Sequence, residues 1–437
     1  MSLRSPYDRE IFRLAVPALG ALAAEPLYLL TDTAIVGHLG TPELAALAIA
    51  ATLLTGAFVL CNFLTYATTA QVARLHGAGE LAAAGRLAAQ SLWLSLGIGA
   101  GIGVAFLLLA EPLVGLMGGE GRTATLAVTF LRISSLGAVF AIVALAGQGY
   151  LRGVGDLRTP LIVVAAGNAV NVVLELWFVY GLELGLAGSA WGTVLAQAGM
   201  GAAFIVLLLR APADERRPRL AHMRPLASIG RDIFVRTAAL YTSFALASAV
   251  ASRFGEPTLA AHLIAFQLFA FLALALDAIA IAGQVLVGRS LGGGDPAGAH
   301  AAARRMIGWS VVVGALFSVT LLALVDVLPA LFTEDPAVTE RARAMWPLFA
   351  LMEPAAGAVF ALDGILIGAG DTRYLMRWML VASLGVGAPL ALLALAFDWG
   401  IVGVWVALLG FIVARLVSLA PRFSSGRWAV TGAPAVA

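Results

Sequence analysis

Lysine is absent from this chain of 437 residues, and cysteine occurs once, as Cys61 within an apolar run. A lone cysteine closes no internal disulfide and builds no C-x-x-C pair, so a disulfide scaffold and a dithiol redox site are excluded. The five histidines (His38, His76, His222, His262, His300) are scattered without zinc-ligand spacing, and no metal-cluster role is expected. Charge is also scarce, at 12% of residues against about 25% in soluble domains, which excludes an ordinary water-soluble fold.

What fills the chain is apolar: 61% of residues are hydrophobic. Runs longer than the ~20 residues needed to cross a bilayer recur from Ile11 to about Ala420, twelve in all, parted by short polar turns. Backbone groups in lipid must pair within their own segment, so the runs are expected to be helices of an all-α polytopic membrane protein. The opening MSLRSPYDREIFRLAVPALG has arginines but no short apolar core ending in a small-residue cleavage site; it is expected to be a retained tail leading into helix 1.

All 27 basic residues are arginine, and most lie in alternate connections: the two tails, Arg74 and Arg86, Arg152 and Arg158, Arg210 to Arg224, Arg289 to Arg305, Arg373 and Arg377. The positive-inside rule makes those faces, and both termini, cytoplasmic. Glu43, Glu120, Glu183, Glu256, Glu334 and Asp398 mark the opposite face. Orientation and anionic lipid account for the basic run RRPRLAHMR, and no nucleic-acid partner is expected.

The chain is written twice, at an offset of 215 residues: LGTPELAAL from Leu39 answers FGEPTLAAH from Phe254, and GVGDLR from Gly153 answers GAGDTR from Gly368. Glu183 falls on Asp398 without a gap. The expected organisation is a six-helix bundle over 7–210, a cytoplasmic linker over 211–224, a second six-helix bundle over 225–420 and a cytoplasmic tail over 421–437. Six helices per half start both halves on the same side, so the repeat is parallel, about a pseudo-twofold axis along the membrane normal. Such halves leave a cleft that opens to either side. The pieces GAGE, GVGD, GGGD and GAGD lack the context of a phosphate loop and read as left-handed helix caps.

Ionisable groups at membrane depth cost ~2.5–3.5 kcal/mol each at a helix centre and are functional candidates by default. Helix 1 carries Glu25, Tyr28 and Asp32 on one face; helix 5 carries Asn168, Asn171 and Glu175 with the same spacing. Counting from Gly37, Gly181 and Gly188, the residues Asp32, Glu175 and Thr193 of helix 6 lie at one level, about 8 Å below the outer helix ends at ~1.5 Å per residue. Such a set of oxygens suits a proton site or a hard-cation site; mutual hydrogen bonding for structure alone is the other reading. The repeat mates of Asp32, Asn171 and Glu175 are Ala247, Val386 and Leu390, so the site belongs to the first half. The second half has Asp277, whose mate is Asn62, and Glu353 and Asp363, the latter answering Gln148. With Glu25, Tyr28 and Asn168 these are candidates for lining the cleft. Arginine is expected to be almost absent at depth apart from Arg132.

The stretches LAVPALGALAAEPLYLLTDTAIVGHLGTPELAALA, NVVLE, GLAGSAWGTV, the G.GD.RTP element, repeated as G.GD.R, and DGILIGAGDTR resemble the multidrug and toxic compound extrusion (MATE) transporters, in their DinF-like branch. The resemblance covers nearly the whole chain. It implies an antiporter, not an enzyme, of the bacterial plasma membrane: a monomer with no cofactor that extrudes organic, cationic or amphipathic compounds in exchange for H⁺ or Na⁺. It makes Asp32 the ion-coupling carboxylate, Asn171, Glu175 and Thr193 its companions, and Pro17 the bend of helix 1, which Pro26 can share because neither proline donates an amide. The same four residues, Asp32, Asn171, Glu175 and Thr193, would be the ligands of a metal ion only if Na⁺ is the coupling ion. The helix 5 acid of the family is usually aspartate; the longer Glu175 favours H⁺ over a tight Na⁺ cage. Asp363 matches a helix 10 acid whose role varies between branches. The alternative is a flippase for lipid-linked precursors, of related architecture, which would line its cleft with arginines for pyrophosphate.

Overall fold

The computed structural model describes residues 5–432. Residues 1–4 and 433–437, the far ends of the two tails expected to be cytoplasmic, lie outside the described residues. The described residues are helical without a strand. Eleven helices are long and apolar enough to span a bilayer, and a pair bent by 51° makes the twelfth. They are α1 (Pro6–Gly37), α2 (Thr41–Gly77), α3 (Leu81–Leu116), α4 (the bent pair Gly121–Ser135 and Ala138–Gly153), α5 (Arg158–Gly181), α6 (Gly185–Arg210), α7 (Leu220–Arg253), α8 (Glu256–Gly292), α9 (Pro296–Ala323), α10 (Pro336–Gly368), α11 (Thr372–Ala396) and α12 (Gly400–Ser424).

Local chemistry sets the ends. Asp295 accepts from the Gly298 amide at 2.8 Å to cap α9, and Asp335 accepts from the Ala337 amide at 2.8 Å to cap α10. Prolines open α2, α8, α9 and α10, where a missing amide costs nothing. In the four Gly-rich pieces, Gly79, Gly155, Gly294 and Gly370 take φ of 78°, 85°, 77° and 77°, the left-handed caps expected of them.

The duplication is visible in the backbone. Glu183 and Asp398 are the two non-glycine residues with positive φ among the described residues, at 55° and 54°, in the turns that open α6 and α12. Gly99 of α3 meets the backbone of Val139 in α4, and its mate Gly314 of α9 meets Glu353 and Pro354 of α10; a Cβ at either would come within 2.7 and 2.4 Å of those atoms. Helices cross this closely only where side chains are minimal. One difference stands out: α4 is broken between Ser135 and Ala138, whereas the matching stretch of α10 runs on unbroken.

Two compact units emerge. One holds Gly20–Gly230; in it α4 packs against α2, α3 and α6, and α5 lies along α6. The other holds Arg231–Gly432 together with the chain up to Leu19. In that unit α10 is the hub, packed against α8, α9 and α12 and the most buried span of all. The start of α1 belongs there because of charge: Asp8 accepts from Arg305 Nη2 at 2.7 Å and from Trp309 Nε1 at 2.8 Å, Glu10 pairs with Arg289, and Phe12 packs edge-on against Trp309. Helix α1 therefore passes from one unit to the other just after Pro17, and it is continuous through Pro17 and Pro26.

Candidate functional site

The site grows from two tight helix contacts in the unit Gly20–Gly230. A Cβ on Gly188 of α6 would lie 2.8 Å from the Phe178 backbone, and one on Gly192 3.1 Å from the Glu175 amide. This small-xxx-small pair lets α6 lie directly on α5 and brings Glu175 against the polar face of α6. Beyond Glu175 the last turn of α5 widens into a π turn over Trp177–Gly181, and Tyr180 donates to the Ile35 carbonyl at 2.6 Å, tying α5 to the end of α1.

Asp32, Glu175 and Ser189 come together here, with 4%, 0% and 0% of their surfaces exposed. Ser189 donates to Asp32 Oδ1 at 2.9 Å. Glu175 faces both Asp32 and Ser189, yet neither of its oxygens has a hydrogen-bond partner among the described residues. Among those residues no arginine pairs with either carboxylate. Two buried carboxylates side by side repel each other and are cut off from solvent, an arrangement that a bound cation, a proton or Na⁺, would relieve.

One turn deeper, Thr193 Oγ1 is shared: it lies 3.0 Å from Tyr28 Oη and accepts from Asn171 Nδ2 at 3.2 Å. The sequence expectation set Thr193 level with Asp32. The structure shifts this by a turn, pairing Asp32 with Ser189 and Tyr28 with Thr193, because α6 starts at Gly185 rather than Gly188. Ser189 was missed; its signal was the i, i+4 spacing from Thr193.

Next to this layer opens a cavity of about 180 Å³. Glu25, Tyr28, Asn62, Asn168, Asn171 and Thr193 line it, with Gln148, Gln197, Phe58, Phe140 and Met200. Asp32, Glu175 and Ser189 are not on its wall, so the Tyr28–Thr193–Asn171 bridge separates the carboxylate pair from the cavity. Asn168 also donates to the Ala24 carbonyl at 3.0 Å. The mates of these two residues repeat the tie with another side chain, Ser383 donating to the Ala239 carbonyl at 3.2 Å.

The second-half candidates lie elsewhere. Asp277 is half-buried in α8, and Glu353 is fully buried in α10. Asp363 is held by Arg236 of α7 and Arg415 of α12 at once, both buried. This corrects the expectation about arginine: Arg132 is exposed beside Glu111, at 2.9 Å, and the buried arginines among the described residues are Arg152, near the end of α4, and the pair Arg236 and Arg415. Both members of the pair lie within a few residues of a polar end of their apolar runs, where sequence alone reads them as interface anchors.

A duplicated helical membrane fold, with buried ionisable groups and a cavity among its helices, is the build of a secondary transporter. The chain belongs to the MatE family, whose model matches residues 17–177 and again 233–393. DNA damage-inducible protein F of Escherichia coli is 30% identical to it over 442 residues, covering 98% of this chain and 95% of that one. Multidrug resistance protein PmpM of Pseudomonas aeruginosa is 28% identical, with coverage of 95% and 91%. Among solved structures, the Vibrio cholerae MATE transporter VcmN in its bent form shares the fold with a TM-score of 0.88 at 19% identity, covering 97% of this chain and 98% of that one. An outward-facing multidrug resistance MATE transporter does so with a TM-score of 0.86 at 22% identity and the same coverage.

Proposed function

We propose that this protein is a proton-coupled antiporter that exports organic, cationic or amphipathic compounds across a bacterial plasma membrane, as a monomer with both termini cytoplasmic. The observation that carries the reading is the pair Asp32 and Glu175, buried against each other with no arginine paired to them among the described residues, one hydrogen-bonded layer away from a cavity lined by amides, aromatic rings and Glu25. Proton uptake from outside neutralises the pair; the Tyr28–Thr193–Asn171 bridge then repacks against the cavity, and proton binding and substrate release become linked. Pro17, just before the point where α1 changes unit, serves as its hinge, with Pro26 further along the helix. Glu25 supplies the charge that attracts a cationic substrate, and the amides of Asn62, Asn168, Gln148 and Gln197 its hydrogen bonds.

Protons are favoured over Na⁺ because the Thr193 hydroxyl is already shared between Tyr28 and Asn171, which removes one oxygen from any cation cage. Among the described residues no arginine lines the cavity wall, which favours an exporter over a flippase for lipid-linked pyrophosphates. Dye efflux from vesicles carrying the full chain tests this: a pH gradient alone should drive it. Efflux that needs a Na⁺ gradient and ignores the pH gradient overturns the proton reading, and translocation of lipid-linked precursor without dye efflux overturns the exporter.

A further inference from the structure

The crossing of α9 and α10 holds two buried polar side chains that the antiport reading does not use. Glu353 is 0% exposed, and neither carboxylate oxygen has a hydrogen-bond partner among the described residues. Ser310 is likewise 0% exposed with an unpartnered hydroxyl. They belong to one contact: Gly314, a turn from Ser310, abuts the Glu353 backbone, and Gly357, a turn from Glu353, abuts the Ser310 backbone.

The other repeat is an internal control. The same crossing recurs in α3 and α4, where Gly99 abuts Ala138 and Val139. Ala138 is the mate of Glu353, so alanine satisfies the packing there and the fold does not require an acid. Ser95, the mate of Ser310, gives its hydroxyl to the Leu92 carbonyl of its own helix at 2.8 Å, the usual resting place for a buried serine. In the second repeat that local bond is not made, and an acid stands where alanine would do. Of the charged and titratable groups on the helices around α10, His262 bonds Ser248, Arg289 pairs with Glu10, Arg305 with Asp8, Arg415 with Asp363 and Arg422 with Asp371, while Arg304 is exposed. Asp277 also has interactions of its own, and none of these groups is hydrogen-bonded or ion-paired to Glu353.

We propose that Glu353, with Ser310, forms a second proton-binding site, in the second repeat, which takes up and releases a hydrogen ion as α9 and α10 change their packing. In the state described here the carboxyl is taken to be neutral, since an ionised group that is fully buried and lacks a hydrogen-bond partner among the described residues is too costly inside the most buried span. When the crossing loosens, the O–H bond of Glu353 breaks, its proton passes to water, and the carboxylate accepts the waiting Ser310 hydroxyl. Pro354 follows Glu353 directly and removes one helix amide there, which eases the movement.

The inference rests on the antiport reading, and two measurements on the purified full-length protein keep the two apart. In proteoliposomes, the proton-to-substrate ratio from reversal potentials should fall by one proton in Glu353→Gln, while Asp32→Asn abolishes exchange altogether. An unchanged ratio in Glu353→Gln overturns the second site. Infrared difference spectra between substrate-bound and substrate-free protein need no transport. The wild type should show a protonated-carboxyl band that responds to substrate and is missing in Glu353→Gln. A wild-type spectrum that loses no such band on this substitution overturns the proposal, even where Asp32→Asn behaves as the antiport reading requires.

Discussion

Ser189 places its hydroxyl 2.9 Å from Asp32 Oδ1, whereas Thr193, one turn along the same helix, is bonded to Tyr28 and Asn171 instead. Two successive turns of α6 thus serve two different layers, one holding charge and the other forming part of the cavity wall. Substitutions in the two layers should have separable effects.

In the charged layer, Asp32→Asn and Glu175→Gln should fold and bind substrate but lose exchange driven by a pH gradient. Ser189→Ala should keep it at a reduced rate, since a hydrogen bond to a charged group contributes about 1.5–3 kcal/mol. Vesicle efflux alongside substrate binding to the purified protein checks this. Asp32→Asn with undiminished efflux removes Asp32 from the coupling.

In the wall layer, Tyr28→Phe and Thr193→Val each delete the same hydrogen bond, so their effects on substrate affinity should not add. A double-mutant cycle should return a coupling energy of about 1 kcal/mol. Strict additivity would mean that the 3.0 Å contact is not made in the substrate-binding state.

Glu25 is the one acid on the cavity wall among the described residues. Glu25→Gln should raise KM for cationic dyes by about tenfold, the loss expected on removing one charge-assisted contact, and leave neutral dyes unchanged. Transport assays with a matched pair of dyes decide it.

Asp363 neutralises two buried guanidinium groups. Asp363→Asn leaves both without a counter-charge and should destabilise the protein by about 3–5 kcal/mol. Adding Arg236→Gln should recover part of that loss. Thermal unfolding in detergent is the readout, and a wild-type melting point for Asp363→Asn would show that the pair is not held in the membrane.

The twelve spans, the parallel repeat and the Gly-rich caps were legible because each leaves a local mark: an apolar run, an offset match, a glycine where φ must be positive. Asp32, Asn171, Glu175 and Thr193 were legible for the opposite reason, as polar groups in stretches that should have none. Ser189 was not, because a serine in a membrane helix usually bonds its own backbone and draws no notice. The clasp on Asp363 was hidden by distance along the chain, its arginines lying 127 and 52 residues away. The packing of Asp8 against Arg305, 297 residues on, was equally beyond a local pattern.

That last contact means the duplicated chain is not two modules joined only by a linker, for its first turns complete the partner copy's fold. A gene cut in the 211–219 segment and expressed as two pieces should therefore reassemble on co-expression, with the leading piece acting as a staple. The trailing piece made alone should lack the fragment that neutralises Arg305 and Arg289, and should be the one cleared by quality control.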